Sequence, residues 1–95
     1  MPYAGAAVMR RRVVIRGHVQ GVFFRDSLRR LAEREGVQGW AVNRPDGAVE
    51  AVFEGEPASV ERLVEFAWRG PRGAAVEHVE MEDEAPEGLT GFPIR

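Results

Sequence analysis

The stretch VQGWAVNRPDGAVEAVFEG, Val37 to Gly55, settles how the rest of the chain is arranged. Two runs, Val37 to Asn43 and Ala48 to Glu54, flank Arg44-Pro45-Asp46-Gly47. A Pro/Asp/Gly cluster between such runs is a hairpin turn. Val49, Ala51 and Phe53 alternate along the return strand and mark its buried face. Helical periodicity flanks the hairpin on both sides. Before it, Phe24, Leu28, Leu31 and Ala32 form one apolar stripe, Arg29, Arg30, Glu33 and Arg34 face water, and Gly36 supplies the stop. After it, Pro57 opens a helix whose stripe is Val60, Leu63, Val64, Ala67 and Trp68, ended by Gly70-Pro71.

A strand precedes the first helix, with Val13 and Ile15 alternating with Arg12, Val14 and Arg16 up to Gly17. Another follows the second helix through Val76, Val79 and Met81, and its alternation slips at Glu77 and His78 as a bulge would make it. Phe92 and Ile94 flank Pro93, which confines that last segment to a sheet edge. The order predicts an α+β, ferredoxin-like split βαβ sandwich: βαββαβ, two helices on one face of a mainly antiparallel sheet, and a short C-terminal edge strand. One domain is expected over residues 9–95, with residues 1–8 as an N-terminal tail.

Right-handed crossovers make the first two strands parallel with one strand between them, so their C-terminal ends share one end of the sheet about 10 Å apart. The loop after Gly17, the helix start at Arg25 and the end of the second strand at Asn43 all meet there. Gly17 and Gly21 free the turn between strand and helix, and the first helical N–H groups have no carbonyl partner. Such a turn suits an anion of phosphate size, and the planar fork of Arg25 can grip two of its oxygens. Spacing alone leaves an ordinary glycine turn with a surface arginine equally open. No Gly-Lys-Ser/Thr follows, and there is no Gly-x-Gly-x-x-Gly, so nucleotide binding is not expected.

Composition narrows the chemistry. The 95 residues include no cysteine, which removes disulfides, zinc-thiolate sites and a thiol nucleophile. All 13 basic residues are arginine, the net charge is −2, and Asn43 is the single asparagine. That balance exerts no general pull on nucleic acid or anionic membrane. No apolar run approaches the roughly 18 residues of a membrane span, and MPYAGAAVMRRR lacks the order of a signal peptide. A cytoplasmic monomer without nucleic-acid or membrane partners is expected.

GHVQGVFFR (Gly17–Arg25), GWAVNRPDGAVEAVFEG (Gly39–Gly55) and RGPRGAAVEHVE (Arg69–Glu80), in that order, closely resemble the acylphosphatase family from about Arg12 to the C-terminus. The resemblance implies hydrolysis of an acyl phosphate to a carboxylate and inorganic phosphate, without cofactor or metal. It implies Arg25 and Asn43 as catalytic residues, Arg25 binding the phosphate and Asn43 positioning the attacking water. The phosphate-binding loop is then His18, Val19, Gln20, Gly21, Val22, Phe23, Phe24 and Arg25, with Gln20 to Phe23 acting through backbone amides more than side chains. His18 and His78 read as exposed residues rather than bases. Phe24, Phe53 and Trp68 read as core, and Phe23 as the aromatic placed to touch a substrate.

Two other readings have the same fold. An RNA-binding module needs exposed aromatics and a basic face on the central strands, whereas the fourth strand carries Glu77, Glu80 and Glu82. A domain that binds phosphate or a carbamoyl-phosphate-like ligand without independent turnover is the nearer alternative.

Overall fold

A computed structural model describes residues 7–95, in the order β1 (Met9–His18), α1 (Phe24–Glu35), β2 (Gln38–Asn43), β3 (Val49–Gly55), α2 (Pro57–Arg69) and β4 (Ala75–Glu84). Most of the expected N-terminal tail, residues 1–6, lies outside the described residues, and β1 starts at Met9. The four strands form one antiparallel sheet in the order β2-β3-β1-β4, with both helices packed on one face. Ile15 and Asn43 both pair with Val49, so the ladders of β1 and β2 on β3 end level, while β1 runs on to His18 along β4.

The core lies between helices and sheet. Val13 and Ile15 of β1, Ala41 of β2, and Val49, Ala51 and Phe53 of β3 meet Leu28 and Ala32 of α1 and Val60, Leu63 and Ala67 of α2, all fully buried. Gly36 ends α1 in the left-handed conformation expected of a C-terminal glycine. Trp68 departs from its expected burial. It is 47% exposed and lies edge-on to His78, because Val64 and Ala67 already fill the inward arc of α2 and leave Trp68 beyond the rim. Met81 is likewise half exposed, while Val79 two residues earlier is buried.

The predicted slip in β4 is present. Arg16 pairs with His78 and Gly17 with Val76, so Glu77 is the extra residue of a bulge. Gly17 has φ 131°, and a Cβ there would stand 2.2 Å from the Ala75 carbonyl oxygen. The glycine is required by this close approach of two backbones. The C-terminal segment makes one parallel bridge, Ala41 to Ile94, rather than a strand. Ala41 N–H bonds the Pro93 carbonyl and Arg95 N–H the Ala41 carbonyl, while Pro93 itself has no N–H to extend a ladder. Phe92 is buried there against Phe53, ring centroids 6.2 Å apart.

The face of the sheet away from the helices carries charge in columns. Arg10, Arg12 and Arg16 alternate along β1, between Glu50 and Glu54 of β3 and Glu80, Glu82 and Glu84 of β4. Arg10 and Glu54 are each only 3% exposed and pair at 2.8 Å. Glu54 also accepts the N–H groups of Glu87, Gly88 and Leu89, tying the segment after β4 onto the sheet. Burial acts to raise the Glu54 pKa, yet the Glu87 amide, Arg10 and the Leu89 amide outweigh it and leave it lowered. Glu84 accepts from both Arg12 and Arg10, which brings its pKa from 4.5 down to about 2. The outer edge of β4 has no strand beside it among the described residues.

Two expectations follow for stability. Glu54→Ala removes one of the carboxylates paired with the buried Arg10 guanidinium and the acceptor of three backbone N–H groups, while Glu84 stays on Arg10, and should cost about 3 kcal/mol in chemical denaturation. Glu84 has a folded pKa below its unfolded value, so its contribution is complete above pH 4.5 and disappears as pH falls toward about 2. Glu84→Gln should therefore flatten the decline of the denaturation midpoint across that window; a decline as steep as in the unsubstituted chain would count against the Arg10–Glu84–Arg12 linkage.

Candidate active site

The chain leaves β1 at His18 and reaches α1 through Val19–Phe23. Two devices hold this loop. Val19 is buried in the core beneath it. Gln20 donates from Nε2 to the carbonyls of Arg44 at 2.8 Å and Ala48 at 3.0 Å, clamping the loop to the β2–β3 turn. The Gln20 side chain thus has a definite structural task, one that the sequence reading of this residue as a source of a backbone amide did not include. Val22 packs at the margin of the core.

Gly21, at φ 78°, bends the loop where a Cβ would meet no other atom within 4 Å, so its conformation and not space calls for glycine. Phe23 is the N-cap of α1 and sits at φ 60°, ψ 30°, the one non-glycine residue with positive φ among those described. A bulky side chain in that region costs roughly 1–2 kcal/mol, and this one is also 82% exposed. The first helical hydrogen bond runs from Ser27 N–H to the Phe23 carbonyl. The amides of Phe24, Arg25 and Asp26 therefore have no helical acceptor, at the positive end of the helix dipole.

A cavity of about 260 Å³ opens at this point, lined by Val19, Gly21, Phe23, Phe24, Arg25, Asp26, Asn43 and Ile94. Arg25 and Asn43 thus border one space from opposite sides, α1 and the end of β2. Arg25 donates from Nη1 to the Arg95 carbonyl at 2.9 Å, and the Arg95 guanidinium lies 4.6 Å over the Trp40 ring. The segment after Pro93 thereby supports Arg25 from behind. Asp26 shares the cavity wall but is paired with Arg29 and, at 2.9 Å, with Arg30. Neutralised in this way, its carboxylate opposes an incoming anion less than a free one would.

Of the residues expected from sequence, Val19, Gly21, Phe23, Phe24, Arg25 and Asn43 come together at the cavity. His18 is exposed at the end of β1, opposite Ala75, and is not among the lining residues; nor are Gln20 and Val22, which hold the loop from outside. Ile94, Asp26 and the Arg95 carbonyl were not foreseen. Asp26 follows Arg25 directly and could have been found from the helix start alone, whereas Ile94 and Arg95 arrive through long-range pairing with β2. Among the described residues, no three His, Cys, Asp or Glu are grouped to hold a metal ion, and no helix is long and apolar enough to cross a membrane.

The family model for acylphosphatase matches residues 11–94. An acylphosphatase from Gloeobacter violaceus is 51% identical over 89 residues, covering 94% of this chain and 96% of its own. One from Rubrobacter xylanophilus is 58% identical over 85 residues, covering 88% and 77%. The solved structure of an acylphosphatase from Coxiella burnetii superimposes with a TM-score of 0.89 at 41% identity, covering 93% of each chain.

The Gln20 clamp yields a direct expectation. Gln20→Ala should leave the thermal midpoint within a few degrees but weaken inorganic phosphate binding at least about tenfold, since two hydrogen bonds that hold the loop are lost. Unchanged phosphate affinity by calorimetric titration would show that the loop keeps its shape without them.

Proposed function

The chain belongs to the acylphosphatase family, and from that membership we propose how the cavity between α1 and β2 divides the work of hydrolysis. As a hydrolase of this family it acts on an acyl phosphate and releases inorganic phosphate and a carboxylate. In the proposed assignment the phosphoryl group lies at the N-terminus of α1, on the unpartnered amides and the Arg25 guanidinium. This is where an anion gains most from helix dipole and charge together. His18 to Phe24 form the loop that shapes this cradle. Asn43 holds the attacking water on the opposite side, its amide oxygen and N–H fixing the direction of approach.

The water oxygen bonds to phosphorus as the bond from phosphorus to the acyl oxygen breaks, and the carboxylate departs with the electron pair. The water's proton passes to a phosphoryl oxygen. A carboxylate whose acid has a pKa of about 4 leaves readily, so no general acid is needed. Nor does the assignment call on a metal. Positioning and stabilisation of charge supply the rate, as phosphoryl transfer generally requires. The observation carrying the assignment is that Arg25 and Asn43, from separate elements, border one cavity at a helix N-terminus. The acidic columns of the sheet disfavour nucleic acid, while the cationic start of α1 favours a small anion. We place the enzyme in the cytoplasm as a monomer acting on a diffusible substrate.

Hydrolysis of benzoyl phosphate, followed by ultraviolet absorbance with chelator present, tests this. Arg25→Ala should lose about 10²–10³ in kcat/KM and its inhibition by phosphate. Asn43→Ala should lower kcat at least about tenfold with little change in KM. Wild-type turnover in Asn43→Ala would remove the water-positioning role. Phosphate binding without any turnover in the unsubstituted chain would move the protein to the non-catalytic ligand-binding class.

A further inference from the structure

Eight of the thirteen arginines, Arg10, Arg11, Arg12, Arg16, Arg29, Arg30, Arg44 and Arg62, have an Asp or Glu within ion-pairing distance. Among the described residues, Arg25, Arg34, Arg69, Arg72 and Arg95 have no such partner. Two of these five are engaged elsewhere: Arg25 borders the phosphate cavity and Arg95 lies on Trp40. Arg34 and Arg69 come from different helices, yet they line the same cleft. That cleft, of about 260 Å³ between α1 and α2, has Arg30, Arg34 and Arg69 on its walls and Leu31, Phe66 and Pro71 as apolar lining. No Asp or Glu lines it.

Bringing the Arg34 and Arg69 guanidinium groups to one cleft without a carboxylate for either is electrostatically unfavourable, more so against apolar side chains that exclude water. The chain has acidic residues to spare and places them beside most of its other arginines. Arg69 is also held in place, its guanidinium 5.5 Å over the Phe66 ring. The unpaired forks of Arg34 and Arg69 offer up to about four oxygen contacts, and Arg30, whose Nε is held by Asp26, adds its outer nitrogens, so that together they suit two linked phosphates better than one. The volume falls just below the range of about 300–1,000 Å³ for drug-sized ligands, which suits a compact anion.

We propose that the cleft between α1 and α2 is a second anion site, separate from the phosphate cavity, that takes a compact oxyanion of the polyphosphate class between Arg30, Arg34 and Arg69. The site does not depend on the catalytic roles of Arg25 and Asn43. Its approach begins beside the catalytic cavity, since a shallow depression lined by Phe23, Asp26, Ser27 and Arg30 joins the two regions.

The test is a nuclear magnetic resonance titration of the full chain with sodium pyrophosphate at constant ionic strength. Saturable shifts are expected at the amides of Ser27, Leu31 and Phe66 and at the Nε–H groups of Arg34 and Arg69, and they should persist in Arg25→Ala. Both Arg34 and Arg69 are exposed, so the double variant R34A/R69A should keep its thermal midpoint and its benzoyl phosphate turnover while losing at least about tenfold in pyrophosphate affinity. R34K/R69K, which retains charge but not the fork, should also bind more weakly than the unsubstituted chain. Shifts confined to Gly21–Arg25 and lost in Arg25→Ala would overturn the site. So would shifts that never saturate, or an unchanged affinity in R34A/R69A.

Discussion

A single antiparallel strand, β3, separates β1 from β2, and this spacing determines what can meet at the cavity. Because β1 and β2 both pair with β3 in opposite sense, they run parallel to each other, and their ladders on it end level, at Ile15 and Asn43. The loop leaving β1 must then turn back over that end to start α1, and it brings Arg25 to the side facing Asn43. The bulge at Glu77 makes the turn possible, since it lets β4 pass close to Gly17 while the ladder still reaches His18. Neither Arg25 nor Asn43 needs the other to take up its position. Each is delivered by backbone pairing, which is how a cavity can be in place before any ligand arrives.

What was legible in the sequence was what local pattern encodes. The hairpin at Arg44–Gly47, the stops at Gly36 and Gly70, and the slip at Glu77 each depend on a few adjacent residues, and topology then places Arg25 and Asn43 at one end of the sheet. What escaped depends on partners far apart in the chain. Nothing near Gln20 announces that its amide will hold the carbonyls of Arg44 and Ala48. Nothing near Arg95 announces that its carbonyl will reach Arg25. Trp68 was misread for a related reason: helical spacing defines an arc, while the width of the sheet beneath decides how much of that arc is covered.

The charged face was the least legible part. On β1 the arginines read simply as the solvent side of an alternating strand. Register turns them into the middle column between two acidic ones, and Arg10 and Glu54 into a buried pair that also anchors the backbone of Glu87–Leu89. That anchorage begins the path by which the chain crosses from the edge at β4 to the opposite edge at β2, where Ile94 joins the cavity and the Arg95 carbonyl meets Arg25. An ion pair on the side of the sheet remote from the helices is in this way connected to the placement of Arg25.

Among the described residues the outer edge of β4 is unpaired along a strand of ten residues, and such an edge is ordinarily an invitation to a neighbouring chain. Here Glu77, Glu80, Glu82, Asp83 and Glu84 stand along it, with the bulge at Glu77 twisting one end away. A second copy approaching antiparallel would set one row of carboxylates against another before a single backbone hydrogen bond could form. Glu77 and Glu82, which have no arginine partner among the described residues, therefore contribute most to a guard against fibrous self-association. The guard is chemical and not steric, so it holds only while those carboxylates keep their charge, and acid would dismantle the fold's internal pairing and its colloidal defence together.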